Sequence, residues 1–202
     1  MKWLLILIFS GVAFAQFLPE DTLLVDVQKI NPRIKVEIRY ATENNFTGKK
    51  LYSVGKCFLR KFVAVKLDSV QKELENYGLG IKVWDCYRPL SVQKILWSIV
   101  PDERYVANPS KGSRHNRGCA VDLTLVDSLG NELPMPTGYD DFTEKAHRNY
   151  FNLPDTLIKN RMILENVMRK YGFIPLPTEW WHFDCEGWEN FSILDIPFEE
   201  IK

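Results

Sequence analysis

Net charge is what this chain most plainly lacks. Its 202 residues carry 26 lysines and arginines against 26 aspartates and glutamates, a formal balance of zero. That removes the long-range field expected of a nucleic-acid or anionic-membrane binder, and leaves room only for a small charged ligand held by a few local groups. Beyond the first residues no apolar run approaches the roughly 20 residues needed to cross a bilayer. No two cysteines have the CxxC spacing of structural metal sites. Internal repeats, low-complexity tracts and linkers are absent too. Histidine is scarce, with only His115, His147 and His182. What remains, 46% hydrophobic and 26% charged residues, suits one compact domain with a sizeable core.

The N-terminus reads as a signal peptide over residues 1–15. Lys2 supplies a positive start, Trp3 to Phe9 an apolar stretch, and Ala13-Phe14-Ala15 a small-x-small cleavage pattern. Cleavage after Ala15 would leave a mature domain of residues 16–202, exported to the periplasm or secreted. No cysteine follows the apolar stretch, so no membrane anchor is expected after cleavage. All four cysteines, Cys57, Cys86, Cys119 and Cys185, lie in that mature part. An even count in an exported chain permits two disulfides, in any of three connectivities.

Along the mature chain the apolar period changes several times. Ile34 to Arg39 alternates apolar and charged residues, as a half-buried strand does. Val63, Leu67, Val70, Leu74 and Tyr77 follow helical spacing, with Gly78 placed to end the helix. Ile81 to Cys86 reads as a strand stopped by Pro89, and Ser91 as the cap of a short helix through Ile95 and Trp97. Ala120, Asp122 and Thr124 share one face of a further strand. Asp155 would cap a second long helix through Ile158, Met162, Val167, Met168 and Tyr171, ending at Gly172. Phe173 to Pro175 and Trp180 to Phe183 are the last strand candidates. Strands and helices without strict alternation predict an α+β single domain, with a mainly antiparallel central sheet flanked by helices.

The chemistry concentrates in two stretches. Ser113 to Thr124, SRHNRGCAVDLT, places His115 and Asp122 seven residues apart, and Glu179-Trp180-Trp181-His182 places a carboxylate and an imidazole three apart. Two His and one Asp make a three-ligand set that leaves a tetrahedral zinc ion an open position for water. Glu179 would then be the general base. On a regular strand Glu179 and His182 would face opposite ways, so a turn or bulge must lie between them.

These motifs resemble the D-alanyl-D-alanine dipeptidase family, the dipeptidases of the vancomycin-resistance type. The resemblance rests on Ser113-x-His115-x-x-Gly118-x-Ala120-x-Asp122 and Glu179-Trp180-Trp181-His182. Tyr40-Ala41-Thr42, Asn45-Phe46-Thr47-Gly48 and Asp85-x-Tyr87-Arg88-Pro89 add to it. It spans about Ile34 to Phe183. It implies one Zn²⁺ held by His115, Asp122 and His182, Glu179 as base, and an α+β fold with a small closed cavity. Arg88 would stabilise the negative oxygen of the reaction. Asp140 would anchor the substrate's ammonium, with Asp141 as the competing neighbour. Ser113 and Tyr40 are further substrate contacts, His147 is structural, and Trp180 and Trp181 belong to core and cavity wall. Arg114 and Asn116, bulky polar neighbours of His115, depart from the expected pattern.

The function so implied is zinc-dependent hydrolysis of D-Ala-D-Ala-type dipeptides derived from cell-wall peptide. The rivals are a D,D-carboxypeptidase or endopeptidase on longer peptides, or a non-catalytic zinc-binding module. The small dipeptide is the only partner implied, and oligomeric state is not legible. One geometric expectation follows if the strands bearing Asp122 and His182 pair antiparallel with those residues opposed. Cys119, three residues before Asp122, would then face Cys185, three after His182, on the side of the sheet away from the metal. That pairing would leave Cys57 to bridge with Cys86.

Overall fold

The computed structural model describes residues 19–201, so the predicted signal segment lies outside the described residues. The chain opens with strand β1 (Leu24–Asp26), a single helical turn α1 (Val27–Ile30) and a two-residue strand β2 (Lys35–Val36). Strand β3 (Phe58–Arg60) leads into helix α2 (Lys61–Glu75), followed by strand β4 (Leu79–Asp85) and helix α3 (Leu90–Ile99). Strand β5 (Ala120–Asp127), helix α4 (Asp155–Lys170) and strands β6 (Phe173–Pro175) and β7 (His182–Cys185) complete it. Five strands form one sheet in the order β2-β4-β5-β7-β6, and β1 and β3 form a separate antiparallel pair. The fold is α+β, as expected, but the main sheet is mixed. Edge strand β2 runs parallel to β4, a pairing made possible by the crossover through α2, while the other three pairings are antiparallel.

Helix α2 follows its sequence pattern closely. Val63, Leu67, Val70 and Leu74 are fully buried on one face, and Gly78 adopts φ 68° just beyond the end. Tyr77 falls past the last helical residue and is exposed, so it is not part of the stripe. In α4 the buried face is set by Leu164, Val167 and Met168, and Met162 points to solvent. Asp155 is the first helical residue, with Pro154 at the cap position, so its carboxylate complements the helix dipole. Ser91 likewise lies inside α3, and the carboxylate of Asp195 accepts from its backbone N–H at 2.8 Å. The predicted strand over 34–39 shrinks to two residues because a 3-10 turn at Arg39–Ala41 bends the chain to bury Tyr40.

Register is what places the site. Asp122 stands opposite His182, Val121 opposite Phe183 and Ala120 opposite Asp184. Strand β4 pairs regularly with β5 up to Val83↔Leu123, then shifts by one, so that Asp85 stands opposite Asp122. Trp84 is the extra residue of a β-bulge. Partners in a ladder share a face, so Asp85 joins Asp122 instead of alternating to the other side.

The same register brings Cys119 and Cys185 together, and the backbone N–H of Cys185 donates to Cys119 O at 2.7 Å. They nonetheless remain thiols, contrary to the expected bridge, while Cys57 and Cys86 are joined with Cα atoms 5.4 Å apart. A backbone hydrogen bond between facing residues marks the wider kind of antiparallel pair, whose Cα spacing of about 5.5 Å still lies within the disulfide range, so side-chain direction rather than separation keeps the thiols apart. Each thiol turns to a carbonyl near it in sequence, Cys119 to Arg117 and Cys185 to Glu186. Burial pushes the two thiols up to about 12 and about 11. Denaturation without reductant should therefore let alkylation label Cys119 and Cys185 and recover Cys57 and Cys86 as one linked peptide pair. Replacing Cys57 and Cys86 together by serine should lower stability by about 2–4 kcal/mol in urea titration.

Candidate active site

Three elements deliver the His/Asp/His set. Asp122 and His182 come from paired strands β5 and β7. His115 opens a 3-10 turn, His115–Arg117, that runs into β5 through Gly118 at φ 70°. A Cβ on Gly118 would stand 2.6 Å from the Leu24 side chain, so both conformation and space require glycine there. His115 Nε2 lies 3.2 Å from His182 Nδ1 and 3.4 Å from Asp122 Oδ2, and His182 Nδ1 lies 2.9 Å from Asp122 Oδ1. Ligands about 2.0–2.1 Å from a tetrahedral ion stand about 3.3 Å apart, near these separations, and one donor atom from each of the three residues lies within 4.8 Å of the others.

The outer nitrogens decide what the inner ones can do. Cys86 O lies 2.6 Å from His115 Nδ1, and Asp184 Oδ1 lies 2.9 Å from His182 Nε2. A carbonyl and a carboxylate can only accept, so each imidazole can keep a proton on its outer nitrogen and, once its inner nitrogen is free of one, turn a lone pair inward. His182 lies between two carboxylates that favour its charged, doubly protonated form, and a divalent metal bound to the two inner nitrogens and Asp122 would take the inner proton's place. Burial opposes charge on Asp122, but His115 and His182 outweigh it and hold the carboxyl well below its usual range. Burial likewise opposes charge on His182, and Asp184 and Asp122 overcome it.

A cavity of about 190 Å³ opens onto this triangle. Glu179 lines it from the turn before β7, which answers the facing problem posed by its three-residue spacing from His182. Burial lifts its carboxyl to about 7, with Asp122 adding to the rise and His182, His115 and Arg88 opposing it. Arg88 is no surface arginine. It is buried, pairs with Asp85 Oδ2 at 2.6 Å, and donates to Gln93 Oε1 at 2.8 Å and to the Tyr52 hydroxyl at 3.3 Å. Burial disfavours its charge, yet Asp85 more than restores it.

Asp140 lines the cavity and receives the Tyr40 hydroxyl at 3.1 Å. Burial and then the charges of Asp122 and Glu179 raise its carboxyl well above the ordinary range. Asp141 instead caps the backbone N–H of Thr143 at 2.9 Å, which separates the two neighbours. Ser113 is buried on the cavity wall, where its hydroxyl accepts from the backbone N–H of His115. Phe46, Tyr105 and Phe142 also line the cavity, with the Phe142 ring centroid 5.4 Å from that of Phe46 and 4.8 Å from that of Tyr105. His147 lies off this cavity, and its carbonyl receives Arg161. Trp180 and Trp181 are core residues and do not line it.

Several working residues escaped the sequence reading. Asp184, Tyr139, Asp85, Gln93 and Tyr52 hydrogen-bond to the His/Asp/His set or to Arg88. Only Asp85 stood inside a recognised motif, and its strand gave no sign of the bulge that turns it inward.

A family model described as D-ala-D-ala dipeptidase matches residues 20–198. The chain belongs to the D-alanyl-D-alanine dipeptidase family. Its relatives include the D-alanyl-D-alanine dipeptidase of Escherichia coli K12, 36% identical over 179 residues that cover 89% of this chain and 93% of that protein. The D-alanyl-D-alanine dipeptidase of Enterococcus faecalis V583 is 30% identical over 188 residues, covering 83% and 89%. Among solved structures, that of the LdcB LD-carboxypeptidase spans 92% of this chain and 80% of its own, at 22% identity. Its TM-score of 0.49 is too low to bear on chemistry. Family membership makes this chain a peptidase, and the His/Asp/His cluster is its candidate metal centre.

The raised Glu179 carboxyl has a consequence for the metal-free protein. Between its ordinary value near 4.5 and about 7 the native state holds a proton that the unfolded chain has released, so stability falls as pH rises through that window. Metal-free Glu179→Gln should match the parent near pH 4 and exceed it near pH 8 by on the order of 1–3 kcal/mol. Urea titrations at the two pH values test this, and an equal difference at both would count against it.

Proposed function

We propose that this chain is a zinc-dependent dipeptidase acting on D-Ala-D-Ala-type dipeptides, with Glu179 as general base. The observation that carries the reading is the sharing of one small cavity by the His/Asp/His triangle, Glu179, Arg88 and an acid, Asp140. A carboxylate at one end suits a substrate's free ammonium and gives an N-terminally extended peptide nothing to match. The packed rings of Phe46, Tyr105 and Phe142 on the cavity wall narrow its space of about 190 Å³. That combination favours a dipeptidase over a carboxypeptidase.

The two imidazoles and one carboxylate are of the type zinc takes in catalytic sites, and zinc there would supply an activated water and an electrophile for the scissile carbonyl. Glu179, poised near neutrality by burial, takes the proton from the attacking water and returns it to the leaving amine. Arg88 is held on three sides before substrate arrives, so it meets the negative charge developing on the carbonyl oxygen without reorganising. Asp140 and Tyr40 hold the ammonium and thereby set the distance from amine to scissile bond. We infer export as well, from the charged start, apolar stretch and cleavage pattern of the N-terminus. Outside the cytoplasm the natural pool of such dipeptides is peptide released from the cell wall.

Zinc-loaded protein should hydrolyse D-Ala-D-Ala but leave a wall pentapeptide intact, and Glu179→Ala should abolish turnover. Cleavage of the pentapeptide would move the reading to a carboxypeptidase, and tight zinc binding without turnover would leave a binding module. Asp140→Asn should raise KM for the dipeptide at least tenfold, with a smaller change in kcat. Arg88→Lys should lower kcat by about 10²–10³-fold, the usual loss for one oxyanion donor, in steady-state assays.

A further inference from the structure

The proposed hydrolysis gives Tyr139 no step of its own, yet its hydroxyl donates to Asp122 Oδ2 at 2.9 Å. The other oxygen of that carboxylate, Oδ1, faces His182 Nδ1 at 2.9 Å. A carboxylate tied at one oxygen cannot rotate freely, and which oxygen it offers to an ion is then fixed. The phenol itself is well held. Its ring packs on Trp84 at 5.2 Å, Trp181 at 5.8 Å and Tyr40 at 6.2 Å between centroids. Two residues earlier, the Thr137 hydroxyl receives the indole N–H of Trp180 at 2.9 Å, which anchors the loop from the core side.

The next residue, Asp140, has φ 56°, the one non-glycine among the described residues in the left-handed region. That conformation costs a non-glycine residue on the order of 1 kcal/mol or more and marks a position that its surroundings over-determine. In an extended chain Tyr139 and Asp140 would point to opposite sides. The left-handed step cancels that alternation, so Tyr139 reaches the Asp122 carboxylate while Asp140 reaches Tyr40 across the cavity.

We propose that Tyr139 is a positioning residue of the metal centre. Its hydroxyl presets Asp122 as a ligand, and the strained Tyr139–Asp140 step joins this task to the reading of the substrate's ammonium by the neighbouring side chain. The proposal rests on the reading of His115, Asp122 and His182 as the metal site, and it is specific to the hydroxyl. The ring alone would fill the same space between Trp84 and Trp181.

The test is zinc affinity measured without substrate, by competition with a chromophoric chelator, for the parent, Tyr139→Phe and Trp84→Phe. Tyr139→Phe should weaken zinc binding by 10–100-fold, the range for losing a ligand's hydrogen-bond partner, with little change in the metal-free melting midpoint. Trp84→Phe loosens the packing of the ring and spares the hydroxyl, so its affinity should stay within about threefold of the parent. Tyr139→Phe within twofold of the parent, or a loss in Trp84→Phe as large as in Tyr139→Phe, would overturn the proposal. Absence of zinc binding by the parent would instead overturn the metal reading beneath it. Should Tyr139→Phe fail to fold, 3-fluorotyrosine at position 139 keeps the ring and changes the donor strength of its hydroxyl. It should then shift the visible bands of the cobalt(II)-loaded protein, and unchanged bands would sink the idea.

Discussion

The antiparallel register between β5 and β7 is the constraint on which the site depends. It sets Asp122 against His182, and the next pair but one, Ala120 and Asp184, brings the carboxylate that takes the outer proton of His182. A slip of one residue would turn every side chain of β7 to the other face and dissolve the triangle. Burial prevents that slip, because Val121, Leu123 and Phe183 are fully enclosed on the opposite side of the sheet. The core packing and the candidate metal site are two faces of one ladder.

Around that ladder the protein collects more negative than positive charge. Asp122, Glu179 and Asp140 line a single cavity and Asp85 lies buried behind it, against one buried guanidinium, Arg88. Such an arrangement lowers the stability of the folded state unless a cation joins it, since unpaired carboxylates lose hydration without compensation. Arg88 is spoken for by Asp85, and Asp140 meets only a phenol. The remaining deficit is shared between the His/Asp/His triangle and Asp140, where in the proposed function a divalent ion and a substrate ammonium would each meet it. Binding energy is thus stored in the site as electrostatic demand.

Much of this was legible in the sequence because it depends on period and spacing. The stripe of α2, the strand carrying Asp122 and the convergence of His115, Asp122, His182 and Glu179 could all be read from residue order. So could the register that aligns Cys119 with Cys185, although each thiol turns to a nearby carbonyl and both stay free. What could not be read arises from contacts between residues distant in the chain. Asp195 took the capping task expected of Ser91, and the burial of Tyr40 cut short a strand that alternation alone would extend. Tyr139 acts through Asp122, 17 residues away, which no local pattern announces, whereas Asp184 sits two residues from His182 on one face of β7, a spacing present in the sequence but not read from it.

The bulge at Trp84 places two successive side chains on the metal face, Trp84 beneath Tyr139 and Asp85 against Arg88. Deleting Trp84 would heal the ladder, since Val83 and Asp85 already occupy successive places opposite Leu123 and Asp122. The repaired sheet would be more regular and would keep Asp85 in position, but the ring that holds Tyr139 would have lost its seat. At this point in the fold, sheet perfection and a well-set ligand are competing outcomes, and the chain keeps the fault.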